Sequence, residues 1–254
     1  MNKFFAVIII VIIASVNILP QESSYYDAPL GGGIGYTPGW IIPNVDGINA
    51  QLKIFGVPGI PKSGFFTSGG AGFIYLGILK NFRIGGFGFG GSRSSTSDNY
   101  SGAVLQNTME TSPEFKEIVY ALSGGGLSFE YTLPFINDFA VSVGALIGRG
   151  SLNIQLYGNY GNLNWESFWQ NALSSSPAAS SSSLTDTYWI FSPTVNFEIP
   201  VYHMICFRIG AGYNFTFVNN WTYDNNQNIS NVPSDINGNS FFIQTGIFVG
   251  IFSF

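Results

Sequence analysis

The chain has little charge: 9% of its 254 residues are Asp, Glu, Lys or Arg, against about 25% in a soluble domain. A soluble surface needs more charge than this. No basic cluster exists, and the net charge of −5 argues against a nucleic-acid partner. The single cysteine, Cys206, excludes an internal disulfide and a cysteine-based zinc site, and no cofactor or metal is expected. Beyond the N-terminus, Gly, Ser, Asn and Thr interrupt every apolar run. None approaches the roughly 20 residues that a membrane helix requires. Glycine and aromatic residues take the place of charge, at 32 positions and 17% of the chain. A closed β-barrel is the remaining way to cross a bilayer with every backbone group paired.

The N-terminus reads as an export signal. Lys3 supplies the positive end, and Phe4 through Ala14 form an apolar core too short to span a bilayer comfortably. Residues 1–20 are therefore expected to be a signal peptide, cut somewhere between Ala14 and Ser23. A short segment over 21–28 then precedes a barrel over 29–254. No cysteine follows the apolar core, so lipoprotein anchoring is not expected.

Eight candidate strands follow, at 29–41, 64–79, 81–92, 115–133, 138–157, 186–200, 203–218 and 240–254. Several alternate with period two, as a wall between lipid and lumen requires. In the seventh, Phe207, Ile209, Tyr213, Phe215 and Phe217 share one face, and Arg208, Gly210, Gly212, Asn214 and Thr216 the other. The sixth sets Trp189, Phe191, Val195, Phe197 and Ile199 against Ser192, Thr194, Asn196 and Glu198. In the fourth, Leu127, Phe129 and Tyr131 oppose Gly126, Ser128 and Glu130. The second, third and eighth are apolar or glycine-rich on both faces, so alternation assigns them no register.

Short and long connections alternate along the chain. Tight links are expected at Lys80-Asn81, at residues 134–137 and at Val201-Tyr202, and long polar segments at 42–63, 93–114, 158–185 and 219–239. Short periplasmic turns and long extracellular loops are the outer-membrane pattern, and an even strand count puts both termini in the periplasm. The last strand closes on an aromatic residue, Phe254. That ending resembles the C-terminal strand of bacterial outer-membrane barrels, where it is the signal read by the barrel assembly machinery. With the export signal, strand pattern and loop alternation, the chain resembles the small single-chain OmpA and OmpX type. The resemblance implies an all-β fold: an eight-stranded antiparallel up-and-down transmembrane β-barrel in the bacterial outer membrane. A ten-stranded variant, with part of the third loop paired as an extra hairpin, is the alternative.

Four charges stand out within the strands: Arg83, Glu130, Glu198 and Arg208. An arginine facing lipid at mid-depth costs about 2–4 kcal/mol, so all four are expected in the lumen, in the half nearest the short turns. Two acids balance two bases, which favours a salt-bridge network that plugs the lumen; a gate whose pairs rearrange to pass small solutes is the alternative, and arginine partners that keep both acids ionised argue against carboxylate catalysis. The lumen of an eight-stranded barrel is only wide enough for side chains to fill. Glycine runs such as Gly31-Gly32-Gly33 and Gly124-Gly125-Gly126 suit strand bending and the packing of bulky neighbours. A hollow for a small hydrophobic ligand is the sharper alternative.

His203, the only histidine, is expected at a solvated turn, far from the leaflet in which a lipopolysaccharide lipase would work. The stretch over 180–183 reads as flexible loop serine. Two loop segments have helical spacing. Val45, Ile48, Leu52 and Phe55 share a face, with Asn44 as the candidate N-cap and Gly56 as the stop; Trp165, Phe168 and Trp169 form the second. Helices this short must rest on something: the barrel mouth or outer leaflet, or a site where they act as a lid or docking surface. Asp224, Asp235, Asn237 and Asn239 faintly resemble a calcium loop but lack its ligand spacing.

The expected function is a non-enzymatic outer-membrane barrel with a structural or surface-interaction role through its extracellular loops. Its expected partners are outer-membrane lipid, the assembly machinery, and an extracellular partner or small hydrophobic ligand. A narrow pore or ligand carrier, and a lipid-modifying enzyme, are the alternatives.

Overall fold

The computed structural model describes residues 31–97, 115–134, 139–159, 179–202, 204–224 and 227–252. The expected signal peptide, the segment over 21–28, Trp165, Phe168, Trp169, His203 and Phe254 lie outside the described residues.

The elements in chain order are β1 (Gly32–Tyr36), β2 (Gly39–Pro43), α1 (Asp46–Phe55), β3 (Phe65–Tyr75), β4 (Phe82–Thr96) and β5 (Phe115–Thr132). β6 (Ala140–Asn159), β7 (Ala179–Tyr202), β8 (Ile205–Tyr223), β9 (Gln227–Asn228) and β10 (Ser240–Ile251) follow. Each strand from β3 to β8 pairs antiparallel with the next, and β10 pairs with β8 on one edge and with β1 and β2 on the other. That last pairing closes the sheet into a ring and leaves no edge exposed.

β1 and β2 together make one stave, expected as a single strand. Pro38 interrupts it, having no N–H to donate to a ladder. The break is bridged on both sides, by Thr37 N–H to the Gly69 carbonyl and Thr245 N–H to the Pro38 carbonyl, each 2.9 Å. Ten sheet segments thus give eight staves, because β9 only extends β8 by two residue pairs. Among the described residues there is no further stave, and residues 160–178 of the third loop lie outside them.

β6, β7 and β8 instead run further than expected at the loop end. The serines at 180–183, expected as loop, are the first residues of β7 and pair with β6. Cross-strand bonds offset their poor strand propensity: Asn153 Nδ2 donates to Ser183 Oγ at 3.2 Å, and Asp224 accepts from the Ser183 N–H at 2.6 Å. At the other end β3 stops at Tyr75 rather than residue 79. There the chain turns through Asn81, whose φ of 59° is left-handed. Val201 and Tyr202, expected as a turn, belong to β7, and Tyr202 pairs with Ile205.

The inward rows are filled. Phe248 is 1% exposed, and a Cβ on Gly246 or Gly35 would meet its ring at 2.7 or 2.8 Å. Gly212 makes the same room for Phe242, at 2.6 Å. Glycine here gives space to aromatic neighbours rather than to a hollow. β8 carries one irregularity, where Val218 has a φ of 56°, rare for a β-branched residue. The buried Asp186 holds it, accepting from Asn219 Nδ2 at 2.5 Å and from the Asn220 N–H at 2.9 Å.

Candidate functional site

The two faces of the wall differ in chemistry. In β8 Phe207, Ile209, Phe215 and Phe217 are exposed, while Cys206, Arg208, Gly210 and Asn214 are buried. β10 alternates through its length, with Phe241, Ile243, Ile247 and Val249 outside and Phe242, Gln244 and Phe248 inside. An exposed surface this apolar, wrapped around a lumen that buries Arg208, Asn214 and Gln244, inverts the pattern of a soluble protein and suits lipid outside. The chain is an eight-stranded transmembrane β-barrel of the outer-membrane type. No helix among the described residues is long and apolar enough to cross a membrane.

Near the short turns, the lumen holds the four strand charges together. Arg83 and Glu130 sit opposite each other on β4 and β5, and Glu198 and Arg208 on β7 and β8. Arg83 donates from Nε to Glu130 Oε2 at 2.5 Å, and from Nη1 and Nη2 to the two oxygens of Glu198 at 2.8 and 2.5 Å. It also reaches Ser142 Oγ at 2.7 Å. Arg208 Nη2 lies 2.6 Å from Glu198 Oε1 yet makes no directed hydrogen bond. That contact is therefore a Coulombic pair. Both guanidinium groups lie over the ring of Phe73, at 4.3 and 4.9 Å, and Arg208 also lies over Phe248 at 4.4 Å. Aromatic faces thus share the positive charge with the carboxylates.

A polar layer joins this cluster to the rest of the lumen. Asn196 Nδ2 donates to Glu130 Oε1 at 3.3 Å, and Gln244 Nε2 to Asn196 Oδ1 at 3.2 Å. A cavity of about 20 Å³ lies beside them, with Ser128, Glu130, Arg208 and Gln244 in its lining. Its size and polarity suit one water molecule. Arg208 Nε and Gln244 Oε1, which have no protein partner, call for one.

Toward the loop end the rings of Phe87, Phe89 and Phe242 stack on one another at 5.7 to 6.5 Å. Beyond them the inward residues turn aliphatic: Ile118 and Leu122 from β5, Leu152 and Ile154 from β6, and Ile190 from β7. α1 closes this end. Val45, Ile48 and Leu52 are buried in the same cluster, with Val57 and Ile60 from the segment that follows. Gly56 ends the helix with a φ of 80°, returning its N–H to the carbonyls of Leu52 and Lys53. Val45 rather than Asn44 is the N-cap residue; Asn44 Oδ1 accepts the Asp46 N–H from one position earlier, at 3.2 Å. Ile48 and Leu52 are thus part of the mouth's packing and not of an exposed loop surface. Of Phe55, only its place at the end of α1 is described.

Alternation placed Arg208, Asn196, Glu198 and Glu130 on inward rows. Ser142, Phe73, Phe242, Gln244 and Phe248 had no such signal; helical spacing gave the barrel mouth as one seat for α1, but not the aliphatic strand residues that line it. In β3 and β10 both faces are apolar, so only the ladder to a neighbouring strand decides which side turns inward. The candidate calcium residues disperse onto backbone partners: Asp224 accepts from Ser183, and Asn239 Oδ1 accepts from the Thr216 N–H at 2.7 Å. Among the described residues no group of three or more His, Cys, Asp or Glu is placed to hold a metal.

No protein-family model and no curated protein sequence matches the chain. Among solved structures it is similar to Ail, the attachment invasion locus protein of Yersinia pestis, in complex with sucrose octasulfate, at 9% identity and a TM-score of 0.39. That likeness covers 87% of this chain and 97% of Ail. It is also similar to the outer membrane protease OmpT of Escherichia coli, at 11% identity and a TM-score of 0.34 over 91% of this chain and 99% of the other. CarO2 of Acinetobacter baumannii gives 11% and 0.31 over 87% and 99%. None of these likenesses extends to substrate or partner.

Proposed function

We propose that the protein is a closed, non-enzymatic outer-membrane barrel that acts through its loop end, as an envelope-stabilising or surface-interacting element. The loop end faces the cell exterior, the termini lie in the periplasm, and Phe254 serves the assembly machinery. The observation that carries this reading is the filled lumen: an ion cluster, a phenylalanine stack and an aliphatic mouth under α1 succeed one another along the axis. A path for solute would have to breach all three.

Purified, folded protein in planar bilayers is expected to give no stable conductance step. A reproducible open step from the unaltered chain would overturn the closed-barrel reading, and altered lipid A mass in expressing cells would overturn the non-enzymatic one. The orientation is tested by Ile54→Cys, at a position 82% exposed on the loop end. On intact cells this variant is expected to react with a membrane-impermeant maleimide, while the native Cys206, buried in the lumen, stays unlabelled. Labelling of Ile54→Cys only after envelope rupture would reverse the assignment.

A further inference from the structure

The outward face changes character part-way along the wall. On β6 the outward residues Val143, Ala145 and Ile147 are apolar, while beyond Arg149 come Ser151, Asn153 and Gln155. β7 changes at the matched position: Trp189 pairs with Arg149, with Phe191 and Val195 on the turn side and Thr187 and Thr185 on the loop side. Asn153 Nδ2 donates to Thr185 Oγ1 at 2.8 Å, so the upper wall is polar surface. Arg149 stands nine residues along β6 from Ala140, and a strand crosses a bilayer in about 9–11 residues. Chemistry and length place the same row at the boundary between lipid and water.

Arg149 is exposed there, its guanidinium 5.6 Å from the Trp189 ring centroid. Among the described residues no carboxylate lies within ion-pair distance of it. A planar guanidinium fork suits phosphate oxygens, and tryptophan is favoured at headgroup depth. The wall beside it is bare. In the same register row Arg149 is followed by Gly125, Gly88 and Gly70 on β5, β4 and β3. A Cβ on Gly88 or Gly70 would meet nothing nearer than 3.6 Å. The row also descends: Gly70 is only five residues from the turn-side end of β3 at Tyr75, against nine for Arg149 on β6.

We propose that Arg149 and Trp189 form a headgroup site for a phosphate-bearing glycolipid of the outer leaflet, with an acyl chain laid along the bare wall below. The charge selects an anionic lipid, and the descending glycine row gives its chain a path from headgroup depth toward mid-membrane. The choice of leaflet rests on the orientation proposed above.

The test is native mass spectrometry of the full chain, released from detergent after incubation with bis-phosphorylated lipid A, with phosphatidylglycerol, or with inorganic phosphate. The unaltered protein is expected to keep a lipid A adduct. Arg149→Gln should lower its retention by about tenfold, the scale of one lost hydrogen bond to a charged group, while Arg149→Lys keeps part of it. Heat-modifiable gel migration is expected to be the same for all three, which separates lipid loss from misfolding. Equal retention by Arg149→Gln would overturn the site. Displacement of the lipid by inorganic phosphate would overturn the lipid assignment in favour of a free anion. Equal retention of phosphatidylglycerol and lipid A, both lost in Arg149→Gln, would keep the anionic-lipid site and overturn only its assignment to the outer leaflet.

Discussion

Glu198→Ala is expected to lower the unfolding free energy of the barrel by about 3–5 kcal/mol, the usual result of removing one partner from a buried ion cluster. Glu198 receives Arg83 through two nitrogens, at 2.8 and 2.5 Å, and holds Arg208 at 2.6 Å. Without it two buried guanidinium groups share the single carboxylate of Glu130, and the aromatic faces of Phe73 and Phe248 offset only part of the excess charge. The cost arises mainly from the charge left behind. A variant with all four positions neutral, Arg83→Met, Glu130→Gln, Glu198→Gln and Arg208→Met, is therefore expected to recover to within about 1–2 kcal/mol of the original. Urea unfolding in lipid vesicles, followed by tryptophan fluorescence, measures both. A Glu198→Ala change within about 0.5 kcal/mol, as at an ordinary surface site, would show that the cluster does not hold the lumen.

Leu52→Asp should release the mouth without unfolding the wall. Leu52 is 2% exposed and packs with Val45, Ile48 and Ile60 in the cluster that closes the loop end. Deleting a buried leucine side chain costs about 2–5 kcal/mol, and an unpaired carboxylate in the same place adds its desolvation. A ten-residue helix has little stability of its own, so α1 is expected to detach and fray. Cleavage by protease within 44–64 should then accelerate by at least a hundredfold, since opening free energy sets the exposed population, while heat-modifiable migration of the barrel persists. Ile54→Asp, on the exposed side of the same helix, is the control and should leave cleavage unchanged. Equal protease sensitivity of the two variants would show that α1 does not seal the mouth.

The architecture was legible because lipid imposes a simple code. β8 shows it best: an outward row from Phe207 to Phe217 has to satisfy hydrocarbon, and an inward row from Arg208 to Thr216 has to fill a narrow lumen. Two periods of chemistry on one strand survive in the residue order. The same rule carried Arg83, Glu130, Glu198 and Arg208 inward, since the alternative was charge against lipid. Where both faces are apolar the code has nothing to distinguish, as in Phe65–Tyr75 and Ser240–Ile251. Strand ends were misjudged for a related reason. Beyond the bilayer the outward face is polar, so the serines of β7 resemble a loop although the ladder to β6 continues through them.

By itself, then, the sequence determined the membrane solvent, the eight staves, the helix at 46–55 and the inward placing of Arg83, Glu130, Glu198 and Arg208. These follow from local alternation, caps and transfer costs, which act over a few neighbouring residues. Only the tertiary structure decided which charges meet, that Phe73 and Phe248 stand over the guanidinium groups, that α1 joins one buried cluster with residues of β5, β6 and β7, and that Arg149 shares a row with Gly125, Gly88 and Gly70. Those pairings depend on ring closure, which brings Thr245 to Pro38 from 207 positions away, and on strand register, which brings Arg83 to Glu198 from 115 positions away. Register is fixed by the sum of many ladder bonds and cross-strand contacts, a quantity that no single strand carries.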